Sequence, residues 1–195
     1  MHFMRNPLPQ AYGRRNIRNP NGVDPDLAGQ EKPGKRLVTI VGVGNEFRGD
    51  DSVAILVSRI LRDTLPDKVE VVELSGDQSN LLELMKDTDN LIIVDAVCSP
   101  APAGTIFRIN ASEESFPSNF FTASTHSIDL ARSIELARAL KQLPSSVLVY
   151  GIVGKDFSFT PSLTQQVKES AETVKNKIMN DVERILASSL SSNPA

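Results

Sequence analysis

The stretch IVGVGNEFRGDD, residues 40–51, decides the fold of this chain. It begins with β-branched residues, which predict a buried strand, and it ends with glycines, an asparagine and two adjacent carboxylates. Apolar residues then recur at helical spacing before Pro66: Val53, Leu56, Val57, Ile60 and Leu61. The sequence therefore predicts a strand, a polar loop and a helix in succession, which is the first half of a βαβ unit.

Strand-like and helix-like segments alternate through the rest of the chain. We predict strands over residues 37–43, 69–74, 91–97, 104–109 and 146–152, and helices over residues 53–65, 78–87, 127–143 and 163–187. The pattern Ser162-x-x-Gln165 is typical of a capped helix start, and residues 111–125 are expected to form an exposed loop. This alternation predicts a single α/β domain with a twisted, mainly parallel sheet and helices on both faces.

The composition restricts the class of protein. Hydrophobic residues make up 40% of the 195 residues, charged residues make up 23%, and there is one cysteine. No apolar run approaches the roughly 20 residues of a membrane helix, and the first residues lack the apolar stretch of a secretory signal. A single cysteine cannot form an internal disulfide. We therefore expect a cytoplasmic protein that does not associate with membranes.

Charge and composition also suggest the boundaries of the domain. Residues 1–36 carry a formal charge of about +4 and the remainder about −7, and residues 1–35 are rich in Pro, Asn and Arg without apolar periodicity. We predict a flexible basic segment over 1–35, with a docking arm for an acidic partner as the alternative. The α/β domain is expected over 36–187 and a disordered tail over 188–195. The acidic domain argues against nucleic acid as a partner.

Carboxylates and a histidine are expected at the carboxyl edge of the predicted sheet, where α/β proteins bind ligands. Asp50 and Asp51 end the first loop, Asp95 lies near the end of strand 91–97, and His126 precedes a helix. Two carboxylates and an imidazole can bind a divalent transition metal and leave coordination positions open. Each residue also has a simpler explanation. The aspartates could cap a helix or bind loop amides, and the histidine could occupy a helix start.

These motifs resemble the hydrogenase maturation endopeptidases, the family that processes the large subunit of nickel–iron hydrogenases. IVGVGNEFRGDD is similar to the family's opening strand and Gly-x-Gly-Asn loop, LIIVDAV to its second acidic strand, and STHSIDL to its histidine segment. The resemblance covers about residues 36–187. It implies that Asp51, Asp95 and His126 bind nickel, and that the nickel is delivered with the substrate precursor rather than held permanently.

The resemblance also implies an activity. The expected reaction is removal of the C-terminal extension of a nickel–iron hydrogenase large-subunit precursor by a protein that is a monomer in isolation. Water activated by Asp51 or Asp95 is the expected nucleophile, because no serine lies in a recognisable nucleophile motif. Candidate residues for substrate contact lie in the loops beside the strand ends: Gly44, Asn45, Asp50 and Gly76.

Three other functions fit parts of the sequence. Cys98 could act as a nucleophile, although a lone cysteine is more often a small buried apolar residue. Gly42-x-Gly44 could begin a nucleotide-binding loop, but Phe47 occupies a position where the dinucleotide motif has Gly or Ala, and the acidic pair would repel a pyrophosphate. A catalytically silent module that binds the same precursor would use the same metal-binding residues, so only an assay distinguishes it from a protease.

Overall fold

The computed structural model describes residues 36–75, 80–114, 116 and 125–191, with the backbone alone for residues 125–128, 190 and 191. The predicted segment 1–35, Gly76 and residues 192–195 lie outside this part of the chain. The described elements follow in chain order: β1 (Arg36–Val43), a 3-10 helix (Gly49–Ser52), α1 (Val53–Thr64), β2 (Val69–Leu74), α2 (Leu81–Lys86), β3 (Thr88–Val97), β4 (Ile106–Asn110), α3 (Thr125–Ala139), β5 (Ser146–Val153) and α4 (Gln165–Ser191).

The strands form one sheet in the order β2-β1-β3-β5-β4. All neighbouring pairs are parallel except β4 with β5, which is antiparallel. The predicted mainly parallel sheet is therefore confirmed. The parallel strands bring their carboxyl ends to one edge, so the loops that leave β1, β3 and β5 meet there.

Each face of the sheet is covered by helices, and β3 shows the alternation. Ile92 and Val94 belong to the core cluster that includes residues of α1 and α4. Leu91 and Ile93 belong to the opposite cluster, which includes residues of α2 and α3. Strand β3 is thus buried on both sides, as its continuous apolar sequence predicts.

Several element boundaries differ from the predicted ones. Strand β3 begins at Thr88 rather than residue 91, and α4 continues to Ser191 rather than ending at residue 187. Helix α3 ends at Ala139 because Lys141 takes a left-handed conformation with φ 55°, which stops the helix.

Helix α4 begins at Gln165, and the residue that precedes it is Thr164 rather than the predicted capping residue Ser162. The backbone N–H and the hydroxyl of Thr164 both donate to Asp50, which holds this residue outside the helix. Among the described residues, no helix has the combination of length and apolar character that a membrane span requires.

Candidate active site

Asp95 lies on the central strand of the sheet, level with the end of β1. It is paired in register with Val43 on one side and with Gly151 on the other. Its side chain is 1% exposed although the strand is otherwise apolar at this level. Because residues alternate between faces, Asp95 points to the same side as Ile93, towards the α2 and α3 layer. A buried carboxylate in such a strand needs an explanation beyond packing.

Asp51 reaches the same edge from the 3-10 helix that follows β1, and its side chain is 3% exposed. This helix contacts β3. A Cβ atom on Gly44 would lie 2.1 Å from the backbone oxygen of Asp51, so a glycine is required for the loop to fold back this closely. The GxGN loop therefore sets the backbone position of Asp51.

The thiol of Cys98 shows that both carboxylates act on one small region. Burial raises the pKa of Cys98, and the negative charges of Asp51 and Asp95 raise this pKa further, whereas the charge of Arg48 lowers it. The two carboxylates, the thiol and the guanidinium are thus close enough to interact electrostatically. A thiol with a raised pKa is protonated at neutral pH and is a poor nucleophile.

Asp50 has a structural role in this edge of the molecule. Its side chain is fully buried, and it accepts hydrogen bonds from the backbone N–H groups of Lys155, at 2.8 Å, and Asp156, at 3.0 Å. It also accepts bonds from the N–H of Thr164, at 2.7 Å, and from the hydroxyl of Thr164, at 3.1 Å. Asp50 thereby fastens the loop between β5 and α4 to the loop that carries Asp51. Its predicted part in substrate contact stays a prediction.

The loop between β5 and α4 covers the acidic loop through further contacts. Gly49, with φ +46°, donates its N–H to the oxygen of Thr160 at 2.7 Å. Arg48 donates to the oxygen of Phe157 and lies 5.7 Å from the ring centre of Phe159. Arg48 is therefore held at the site by a loop more than one hundred residues away in sequence. Local sequence patterns give no signal of such a contact.

Helix α3 carries His126 in its first turn. Near the other end of this helix, Arg138 donates to the oxygens of Ala111 and Ser112, which lie beyond β4 at the amino edge of β5. A helix of 15 residues is about 22 Å long, so the first turn of α3 lies towards the carboxyl edge of the sheet. The side chain of His126 is outside the described part of the chain, and its ligation of metal stays a prediction.

The donor set can be compared with the requirements of nickel. Within the described side chains, no group of three possible metal ligands is assembled. Carboxylates alone suit magnesium or calcium, whereas an imidazole from His126 would complete a mixed oxygen and nitrogen set that suits nickel. Ligation of nickel by Asp51, Asp95 and His126 therefore stays a prediction.

Two of the predicted substrate-loop residues, Gly44 and Asn45, lie in the loop that leads to Asp51. The N–H of Gly44 donates to the oxygen of Leu74, which joins the ends of β1 and β2. The side-chain oxygen of Asn45 accepts the N–H of Phe47 at 2.9 Å and shapes the turn. Phe47 itself is 67% exposed. Contact with a substrate stays a prediction for these residues.

Sequence comparison relates the chain to known proteins. The family model described as hydrogenase maturation protease matches residues 55–181. A putative hydrogenase maturation protease of Methanocaldococcus jannaschii is 30% identical over 159 residues, which cover 77% of this chain and 99% of that protein. The hydrogenase 2 maturation protease of Escherichia coli is 27% identical over 144 residues, which cover 70% of this chain and 87% of that protein.

Solved structures show the same fold. The hydrogenase maturating endopeptidase HybD from Escherichia coli superimposes with a TM-score of 0.67 at 24% identity, over 76% of this chain and 93% of that one. The solution structure of an endopeptidase from Escherichia coli gives a TM-score of 0.62 at 25% identity, again over 76% of this chain and 93% of that one. The α/β architecture is thus shared over most of both chains.

Proposed function

We infer that this chain, which belongs to the hydrogenase maturation protease family, is a peptidase that processes a hydrogenase precursor. We propose in addition that it is a nickel-dependent endopeptidase, and that it removes the C-terminal extension of a nickel–iron hydrogenase large subunit. The observation that carries this proposal is the burial of two carboxylates, Asp51 and Asp95, on a 3-10 helix and a strand that contact each other at the carboxyl edge of the sheet.

In this proposal nickel is part of the substrate. It arrives with the precursor, and Asp51, Asp95 and His126 bind it where the precursor leaves coordination positions open. Bound there, it supplies Lewis-acid polarisation near the scissile peptide bond. Recognition of nickel would restrict cleavage to precursors that already carry the metal.

The carboxylates supply the proton transfers. One of Asp51 and Asp95 accepts a proton from the attacking water, and the same proton then passes to the nitrogen of the leaving peptide as the C–N bond breaks. Burial of both groups excludes bulk water and strengthens their electrostatic effect on the reaction. The single cysteine is consistent with a reducing compartment, and we propose that the protein works as a monomer in the cytoplasm.

The test is a cleavage assay on large-subunit precursors from the same source, with and without nickel. Wild-type protein should shorten only the nickel-loaded precursor, and Asp95→Asn should abolish the shortening, as measured by mass spectrometry. Thermal unfolding of Asp95→Asn must show that the fold is retained. If wild-type protein binds the nickel-loaded precursor and never shortens it, the chain is a silent binding module and the peptidase proposal is wrong.

A further inference from the structure

A cavity of about 470 Å³ lies at the carboxyl edge of the sheet, between the segments that follow β3 and β5. Small residues form most of its wall: Ser99, residues 101–103 and Gly154. Lys155 and Gln166 complete the lining. Its volume falls in the range of ligand pockets, about 300–1,000 Å³, and the small side chains leave room for a chain in extended conformation.

The wall of the cavity contacts the acidic loop that carries Asp51. A Cβ atom on Gly154 would lie 3.1 Å from the Cβ atom of Asp50, and Ser99 follows β3, the strand that carries Asp95. Gly154 also donates its N–H to the oxygen of Val97, at the end of the same strand, at 3.0 Å. A peptide bound across the carboxylates would therefore enter this cavity within a few residues of the cleaved bond.

Lys155 brings a positive charge to the lining of the cavity. Its side chain is exposed, and within the described residues it forms no ion pair. Its backbone is held because its N–H donates to the buried carboxylate of Asp50 at 2.8 Å. The ammonium group is thus available to a ligand, while the backbone that presents it is fastened to the acidic loop.

We propose that this cavity binds the residues that follow the cleaved bond in the precursor's extension, and that Lys155 pairs there with an acidic side chain of the extension. The inference depends on the proposed endopeptidase function and names a specificity-determining residue for it. Charge complementarity supports the choice of ligand. The ammonium group of Lys155 belongs to an exposed residue of the lining, and it attracts a side chain of opposite charge. The cavity is too small for a folded domain, which fits a short extended segment.

The experiment measures kcat and KM for nickel-loaded precursor with wild-type protein, Lys155→Met and Lys155→Glu. Lys177→Glu is the matched control, because Lys177 is also exposed and lies about 18 Å along α4 from its first turn. Lys155→Glu should raise KM roughly five-fold or more, with kcat changed less than about two-fold, and added salt should reduce the difference. Lys177→Glu should leave both constants unchanged.

Changes in the precursor identify the paired group. Replacing the acidic side chains of the extension by amides should raise KM for wild-type protein and have little effect on Lys155→Glu. Replacing them by lysine should restore KM for Lys155→Glu. A Gly–Ser linker appended to the C-terminus of the extension moves the terminal carboxylate away from the cavity. KM should be unchanged for this precursor.

Each outcome has a defined meaning. Efficient cleavage with an unchanged KM in Lys155→Glu overturns the inference and leaves the endopeptidase proposal intact. A natural extension without acidic side chains, or sensitivity to the added linker alone, also overturns it. If wild-type protein cleaves no precursor, the proposed function fails and this inference fails with it.

Discussion

Asp50 and Asp51 are adjacent in the chain, but their carboxylates serve different ends. Asp50 accepts four hydrogen bonds from the loop that precedes α4. Asp51 acts electrostatically on Cys98, in the same region as Asp95. The pair therefore divides between holding the site together and supplying its chemistry, which the sequence alone does not reveal.

Replacing Asp50 by asparagine should destabilise the domain. An asparagine at this position offers one acceptor oxygen, and its amide would face backbone N–H donors, so buried hydrogen bonds would be lost. We expect Asp50→Asn to lower the free energy of unfolding by about 2–4 kcal/mol in urea titrations. Asp156→Asn, in the same loop, should cost much less because, among the described residues, only Ser158 bonds to its side chain. Equal urea midpoints for Asp50→Asn and wild type would contradict the role given to Asp50.

Cys98 should be dispensable for cleavage, whereas Asp51 should not. Burial and two nearby carboxylates raise the pKa of Cys98, so its thiol is protonated at neutral pH. Cys98→Ser should therefore retain at least about half of the wild-type rate of precursor processing. Asp51→Asn should reduce this rate by a factor of about 10² or more, because the charge that binds nickel or accepts a proton is removed. An inactive Cys98→Ser together with an active Asp51→Asn would favour thiol chemistry instead.

At the scale of elements, a polar cluster joins β4, β5 and α4. The hydroxyl of Tyr150 on β5 donates to Asp181 on α4 at 2.5 Å. Arg108 on β4 donates to the Tyr150 hydroxyl at 3.0 Å and to Asp181 at 3.1 Å. This cluster ties the last helix to the antiparallel edge of the sheet.

The Tyr150 hydroxyl should make stability depend on alkaline pH. Burial, together with the bond to Asp181, raises the pKa of Tyr150 to about 12, above its ordinary value of about 10. The folded state disfavours ionisation of this hydroxyl. The contribution of Tyr150 to the free energy of unfolding is therefore complete below pH 10 and is lost as pH rises to about 12. Thermal unfolding of wild-type protein should therefore lose roughly 1–2 kcal/mol more than Tyr150→Phe over this interval. If the free energy of unfolding changes with pH by the same amount in both proteins, the Tyr150 hydroxyl contributes no such dependence.

The sequence predicts which helices and strands form better than it predicts the residues at which they begin and end. The apolar run of residues 91–97 identifies β3, because a strand buried on both faces needs such a run. The start of α4 is predicted wrongly, since Thr164 is held by Asp50, a residue more than one hundred positions earlier. The positions of Arg48 and Lys155 depend on the same loop. Asp95 and the pair Asp50 and Asp51 could be proposed from sequence because they lie at predicted strand ends, whereas the choice of Asp51 within the pair came from the family resemblance.

At the scale of the whole molecule, both described core clusters lie within the α/β domain, with buried residues between Val38 and Val182. Residues 1–34 lack the apolar periodicity of a helix or strand. We predict that their removal leaves a cooperative unfolding transition, with the midpoint shifted by no more than a few degrees. Loss of cooperativity in differential scanning calorimetry would show that this segment is part of the core.

The same truncation also tests the alternative role of the segment as a docking arm. If residues 1–35 contact an acidic partner, the truncated protein should process precursor more slowly at low salt and at the wild-type rate at high salt. If the full-length and truncated proteins process precursor at the same rate at low and at high salt, this role is excluded.

The hydrogen bonds from Thr164 to Asp50 affect when the site can form during biosynthesis. Asp51 leaves the ribosome early, but the loop that holds its neighbour in place is made only after β5, near residue 164 of the 195. Until this loop has left the ribosome, the nascent chain lacks the hydrogen bonds that fix the acidic turn, so its carboxylates are not yet held in position. Peptidase activity should thus appear only after this loop has been synthesised and has bonded to Asp50.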